Sequence, residues 1–107
     1  MPSRRERIEA MLVDDPRDPF LRYSLALEFD KEGQHDESLS HLRGLAEDAS
    51  PYVPAFFMAG QQLTRLGRIE EARAILRDGI EIARREGNGH AAGEMSEFLA
   101  GLGAMGE

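Results

Sequence analysis

Apolar residues recur along most of the chain at spacings of three and four, the period of a helix with one buried face. Six such stretches are separated by short runs of proline, glycine, aspartate and asparagine. The predicted helices cover residues 3–13, 19–32, 36–49, 54–66, 69–85 and 90–100. No stretch shows the two-residue alternation that predicts a strand, so the sequence predicts an all-α protein.

The ends of the predicted helices carry residues that suit helix termini. Ser3 and Glu6 have the spacing of a capping box. Asp18 precedes Pro19 as an N-cap precedes a tolerated first position, and Gly33 can adopt the left-handed conformation that stops a helix. The turns between helices are short and reverse the chain, so neighbouring helices are expected to pack antiparallel.

An internal repeat relates the second and third helices to the fourth and fifth. Aligning residues 19–52 with residues 53–86 superimposes Gly33 on Gly67, Glu37 on Glu71, Leu42 on Leu76, Arg43 on Arg77, Glu47 on Glu81 and Ala49 on Ala83. Small residues recur at Ala26, Ser38, Gly60 and Ala72. Helices approach to within about 8–10 Å where side chains leave room, so these residues are expected at helix crossings.

The repeated elements resemble a known family, the tetratricopeptide repeat, whose unit is a helix-turn-helix of about 34 residues. Residues 53–86 supply Phe56-x2-Ala59-Gly60-x2-Leu63 and then Ala72-x3-Leu76. Residues 19–52 supply Leu25-Ala26-x2-Phe29 and then Ser38-x3-Leu42, with Arg22 where the motif has a bulky aromatic residue. A non-repeating helical bundle is the alternative fold.

The resemblance implies one domain over residues 1–107, an antiparallel helix-turn-helix stack of about six helices. Its parts are a half-repeat helix at 3–14, full repeats at 19–52 and 53–86, and a capping helix at 88–102. In this family the first helices of successive repeats line a concave groove that binds peptides. The resemblance therefore implies a protein-interaction module rather than an enzyme.

A second apolar stripe on the first helices supports the expectation of a groove. Phe20, Tyr23 and Leu27 follow one another at i, i+3 and i+7, away from the stripe needed for packing. The predicted partner-binding residues are Phe20, Tyr23, Leu27, Phe57, Met58, Gln61 and Met95. Aromatic and Met residues are favoured in recognition surfaces. The alternative is that these side chains complete the core of a small domain.

The sequence predicts the chemistry of the partner in outline only. Tyr23 and Leu27 stand where the family's carboxylate-binding subset has Lys and Asn, and Ala92 stands near the position of its Arg. A clamp for a C-terminal carboxylate is therefore disfavoured. An apolar peptide or an amphipathic helix of a partner protein fits better, and the alternative is self-association as a homodimer through the same stripe.

Composition excludes several other classes of function. The net charge of −7 and the scattered basic residues argue against nucleic acid as a partner. No apolar run reaches the roughly 18 residues that span a bilayer, so no membrane partner is expected. The absence of cysteine fits a reducing compartment, and we expect a cytoplasmic protein.

Candidate catalytic and metal-binding residues are few. His35, His41 and His90 do not have the helical spacing that would bring two imidazoles to one metal. The acidic pairs at helix termini are explained by the helix dipole and by solvated faces. The sequence therefore predicts no catalytic site, no metal and no cofactor.

Overall fold

The computed structural model describes residues 1–103, and over this range the chain forms six α-helices and no strand. The helices are α1 (Arg4–Asp14), α2 (Pro19–Lys31), α3 (His35–Ala46), α4 (Val53–Arg65), α5 (Ile69–Arg85) and α6 (Gly89–Leu102). The predicted all-α class is confirmed. The largest difference is at the end of α3, which stops at Ala46 rather than at residue 49 because residues 47–50 form bends.

The first two helices begin with the caps that the sequence predicts. The Ser3 hydroxyl accepts the Glu6 amide at 3.1 Å, and the Glu6 carboxylate accepts the Ser3 amide at 3.1 Å. These hydrogen bonds lower the pKa of the Glu6 carboxyl because they favour its charged form. At α2, the Asp18 carboxylate accepts the Leu21 amide at 3.0 Å.

Three helices end in the same turn. Gly33, Gly67 and Gly87 have φ values of +80°, +78° and +73°, which favour glycine because a side chain is strained there. In each turn the amide that follows the glycine donates to a carbonyl five residues earlier. These bonds join Gln34 to Phe29 at 2.9 Å, Arg68 to Leu63 at 2.8 Å and Asn88 to Ala83 at 2.8 Å. The same turn therefore follows α2, α4 and α5.

The helices stack in chain order, each packed on the next, with a further contact between α4 and α6. The stack measures 46 × 30 × 19 Å. Helices α2, α4 and α6 share one surface, because residues of all three line a common hollow. Helices α3 and α5 share the other surface in the same way. The fold is an all-α stack of antiparallel helices, with α1 at one end and α6 at the other.

The main core extends through the stack from α2 to α6. Leu42, Leu63 and Leu76 are fully buried in it. A smaller core joins α1 to α2 through Ile8, Leu25 and Phe29, with Leu12 packed against it. Helix α1 packs mainly on α2, so it is held by one neighbour rather than by two.

Small residues allow close helix approach at two crossings. A methyl group placed on Gly60 would lie 2.6 Å from Leu76 Cδ2, so Leu76 occupies the space of the missing side chain. A methyl group on Gly79 would lie 2.5 Å from Phe56 Cβ and 2.7 Å from Met95 Sδ. The packing of α5 on α4 and α6 therefore requires glycine at residue 79.

A polar contact fixes the crossing of α2 and α3. The Ser38 hydroxyl donates to the Ala26 carbonyl at 2.6 Å, and the Gln62 side chain of α4 lies 3.1 Å from the same hydroxyl. All three residues are buried. Because the hydroxyl is bonded to the neighbouring helix, Ser38 serves as the small crossing residue without leaving its oxygen unpaired.

Two glycine-to-alanine substitutions test the close approach. Gly79→Ala is expected to lower the free energy of unfolding by about 1–3 kcal/mol, because its methyl group would overlap Phe56 Cβ. Gly44→Ala on α3 is the control, since its methyl group would meet only Arg22 at an ordinary 3.5 Å. The control is expected to gain about 0.5–1 kcal/mol of stability. Urea unfolding measures both; equal effects would contradict the packing account.

Candidate peptide-binding groove

A hollow of about 660 Å³ runs across the surface shared by α2, α4 and α6. Its apolar lining is Leu27 from α2, Met58 from α4 and Phe98 from α6. Gln61 and Thr64 of α4 add polar groups. We call this hollow, defined by these five residues, the groove.

The internal repeat explains why the groove draws on three helices. Leu27 and Gln61 are one repeat interval apart, so they occupy equivalent positions on α2 and α4. Asp30, Thr64 and Phe98 follow one another at the same interval on α2, α4 and α6. Equivalent positions on stacked helices point to the same surface, so the repeat builds the groove from matching rows.

The structure brings three of the seven sequence-predicted residues into the groove, namely Leu27, Met58 and Gln61. Tyr23 and Phe57 are half-buried and pack against the main core beside it. The Tyr23 ring lies 5.5 Å from that of Tyr52. Neither aromatic residue therefore lines the groove.

The expected place of Met95 in the groove needs correction. Its side chain is fully buried in the main core and packs into the space left by Gly79 of α5. On α3, the position equivalent to Gly79 is Leu45, which is itself buried and fills that space. Gln61, the equivalent of Met95 on α4, stays in the groove, whereas Met95 enters the core because glycine makes room for it.

The expected place of Phe20 also needs correction. Phe20 is 64% exposed and lines a different hollow, about 340 Å³ in volume, between α1 and α2. Met11 of α1 lines the same hollow. Phe20 lies in the first turn of α2, next to the end of the stack, so it is separated from the groove residues on the same helix.

Phe98 is the groove residue that the sequence prediction missed. Its ring stands edge-on to Phe57, with the ring centroids 5.7 Å apart. Phe98 follows Thr64 by one repeat interval, so the repeat carried one step further along the chain points to it. Met95, the residue that the sequence predicted for α6, lies in the core instead.

Charged groups complete the lining at one end of the groove. Asp30 of α2 accepts Arg65 of α4 at 3.2 Å and lies 2.8 Å from the Nδ1 atom of His35. Lys31 lies 3.4 Å from the Glu28 carboxylate. The Asp30–Arg65 pair joins α2 to α4 beside the apolar floor, so the charges at this end are largely matched within the chain.

The opposite surface of the stack is acidic. A hollow of about 380 Å³ lies between α3 and α5, and its lining includes Glu47, Asp78 and Glu81. Arg43 and Glu71 form an ion pair at 3.4 Å across it. Phe56, Ile75 and Ile82 also line this hollow, so apolar side chains lie beneath its acidic and ion-paired groups.

The histidines lie in three separate places. His35 contacts Asp30, the His41 ring is stacked on Phe29 at a centroid distance of 5.3 Å, and His90 lies 2.9 Å from Glu94. Over residues 1–103, no three His, Cys, Asp or Glu side chains are grouped so as to hold a metal ion. In the same range no helix is long and apolar enough to cross a membrane.

The repeated turns, the stacked antiparallel helices and a groove built from equivalent positions define a helical-repeat protein. Two solved structures of a tetratricopeptide repeat domain protein from Salinibacter ruber are similar to this chain. The solution structure has 32% sequence identity and a TM-score of 0.76, covering 81% of this chain and 88% of its own. The crystal structure has 31% identity and a TM-score of 0.73, covering 82% and 98%. The chain belongs to the tetratricopeptide repeat family.

A protein from Bordetella parapertussis has a similar solution structure over nearly the whole chain. The identity is 30% and the TM-score 0.80, with 98% of this chain and 91% of that chain covered. No protein-family model and no curated protein matches the chain. Tetratricopeptide stacks commonly serve protein interaction and are typically non-catalytic, so the groove is the first surface to consider for function.

The phenol of Tyr23 predicts a dependence of stability on alkaline pH. Burial raises the pKa of Tyr23 above its ordinary value near 10, and Tyr52 adds to the effect. The unfolded chain therefore loses this proton at lower pH than the folded chain, so Tyr23 lowers the free energy of unfolding as pH rises above about 10. Tyr23→Phe should lose less stability between about pH 9 and pH 11 in urea unfolding. Equal losses would contradict the burial of this phenol.

Proposed function

We propose that the protein binds an apolar segment of a partner protein in the groove of Leu27, Met58, Gln61, Thr64 and Phe98. One observation carries this proposal: α2, α4 and α6 each contribute an apolar side chain to one continuous hollow. Its volume of about 660 Å³ falls in the range of ligand sites. The family supports a role in protein interaction without specifying the segment that binds.

The chemistry of the groove favours an apolar peptide or one face of an amphipathic helix. Met58 is unbranched and polarizable, so it can adapt to side chains of different shape. Phe98 offers an aromatic surface next to Phe57. Gln61 carries both a hydrogen-bond donor and an acceptor, which suits a peptide backbone. A charged segment would meet Asp30 and Arg65, which already neutralise each other.

We propose that the chain is a non-catalytic binding module of the cytoplasm. In the predicted division of the chain, α2 and α4 are the first helices of the two full repeats and α6 is the capping helix. Self-association through a stripe that begins at Phe20 and runs into the groove has less support, because Phe20 lies outside the groove. The lack of cysteine fits the reducing interior of a cell.

A peptide selection tests the groove directly. Random short peptides displayed on phage would be selected on the immobilised full chain, and the affinity of the recovered peptides measured by fluorescence anisotropy. The recovered sequences should be apolar at alternate or helically spaced positions. Met58→Glu should weaken their binding by about tenfold or more, because it buries a charge under the peptide.

The control is Ala74→Glu, an equal change of charge at an exposed position on α5, on the opposite surface. It should leave peptide affinity within about twofold of the unmodified chain. Circular dichroism would establish that both variants are helical. Peptides that bind Met58→Glu as tightly as Ala74→Glu, or a selection that recovers no binding peptide, would count against the groove.

A further inference from the structure

We infer that α1 is a self-association surface, on which a second copy of this chain packs its own α1 in antiparallel orientation. The surface consists of Arg7, Ala10, Met11 and Asp14, which we call the α1 stripe. It lies at the opposite end of the stack from α6 and involves none of the five groove residues. The inference is therefore independent of the proposed peptide-binding function.

The α1 stripe is a continuous exposed face. Its residues are spaced by three, one and three positions, which places them on one side of a helix. Ile8 and Leu12, on the neighbouring side, pack on α2 instead. All four stripe residues are exposed. Helix α1 therefore uses one face for its own chain and leaves the stripe open.

The stripe carries apolar surface that equivalent helices bury. Met11 is 50% exposed, while Leu45, one repeat interval later on α3, is fully buried. Phe20, 64% exposed, lies beside Met11 in the hollow between α1 and α2. These two side chains leave apolar surface exposed at this end of the stack, which a second copy of the chain can cover.

The charges of the α1 stripe are complementary to those of a second copy in antiparallel orientation. The point midway between residues 7 and 14 is also midway between residues 10 and 11. A two-fold axis through that point places Arg7 opposite Asp14 of the second copy. Ala10 and Met11 then meet their counterparts at the axis, where the small Ala10 allows close approach. Two Arg–Asp pairs would flank one apolar contact.

Neither Arg7 nor Asp14 forms an ion pair within residues 1–103. Arg4 pairs with Glu28 at 2.8 Å, and Arg5 pairs with Glu32 at 3.0 Å. In that same range no carboxylate lies within 4.0 Å of Arg7, and no basic group lies within 4.0 Å of Asp14. These two residues are therefore available to pair with another molecule.

The position of Asp14 also runs against the helix dipole. A negative charge is unfavourable near a helix C-terminus, and Asp14 is the last residue of α1. Helix stability therefore does not account for Asp14, whereas antiparallel pairing with Arg7 of a second copy does. A second copy of this chain carries both charges in the order that the pairing requires.

Charge reversal tests the pairing. Sedimentation equilibrium of the full chain, up to about 1 mM, should show a reversible dimer at twice the 11.9 kDa of one chain. Arg7→Asp alone should weaken the dimer by about tenfold or more, because it places Asp opposite Asp. Asp14→Arg alone should do the same by placing Arg opposite Arg. Arg7 and Asp14 are both exposed, so both variants are expected to fold.

Two combinations should restore the dimer. A chain with both substitutions has its charges exchanged and should associate within about threefold of the original. An equimolar mixture of the two single variants should form a heterodimer. At one end the aspartate introduced at position 7 faces the arginine introduced at position 14, and at the other end the native Arg7 and Asp14 still pair. A chain that remains monomeric throughout, or single variants that neither combination rescues, would overturn the inference.

Cysteine cross-linking gives a second readout, since the chain has no cysteine of its own. Ala10→Cys lies next to the proposed axis and should form a disulfide-linked dimer under mild oxidation. Val13→Cys is the matched control, because Val13 is 80% exposed on another side of α1. Cross-linking of Val13→Cys at the rate of Ala10→Cys would show random collision and would contradict the antiparallel contact.

Discussion

The absence of a side chain at Gly60 and Gly79 is the constraint on which the stack depends. Leu76 occupies the space beside Gly60, and Phe56 and Met95 occupy the space beside Gly79. Because α5 carries Leu76 and Gly79, this helix holds α4 on one side and α6 on the other. Close approach then allows the surrounding leucines to be fully buried, which is the main favourable term in a domain of this size. The space beside Gly79 also holds the Met95 side chain in the core, away from the groove. A residue of α5 therefore affects which side chains of α6 line the groove.

Much of the fold could be predicted from local pattern, because the signals act within a few residues. The turn glycines, the caps at Ser3 and Asp18, and the small crossing residues Ala26 and Ser38 each have a local physical requirement. The internal repeat then ordered these elements into equivalent helices. The end of α3 was harder to predict, since residues 47–50 have no proline or glycine to stop the helix before Pro51.

The candidate site was predictable only where the repeat is regular. Leu27 and Gln61 occupy equivalent positions and both line the groove, as periodicity indicates. Met95 departed from expectation because Gly79 of α5 leaves room for its side chain in the core, and Phe20 because it lies at the end of the stack beside α1. Helical spacing alone shows that Phe20 and Leu27 can share a side of α2. It cannot show that the first turn of this helix lies against α1.

The two end helices of the stack, α1 and α6, differ in the side chains that they expose. Helix α6 presents Glu94 and Glu97 to solvent, so its open side is polar. Helix α1 instead leaves Met11 exposed between Arg7 and Asp14, two charges of opposite sign without an ion pair in the described part of the chain. A polar end favours solvation and a self-complementary end favours pairing, because antiparallel symmetry joins each Arg7 to an Asp14. Pairing of one end alone would close the assembly at two copies and leave both grooves, on other helices, free to bind peptides.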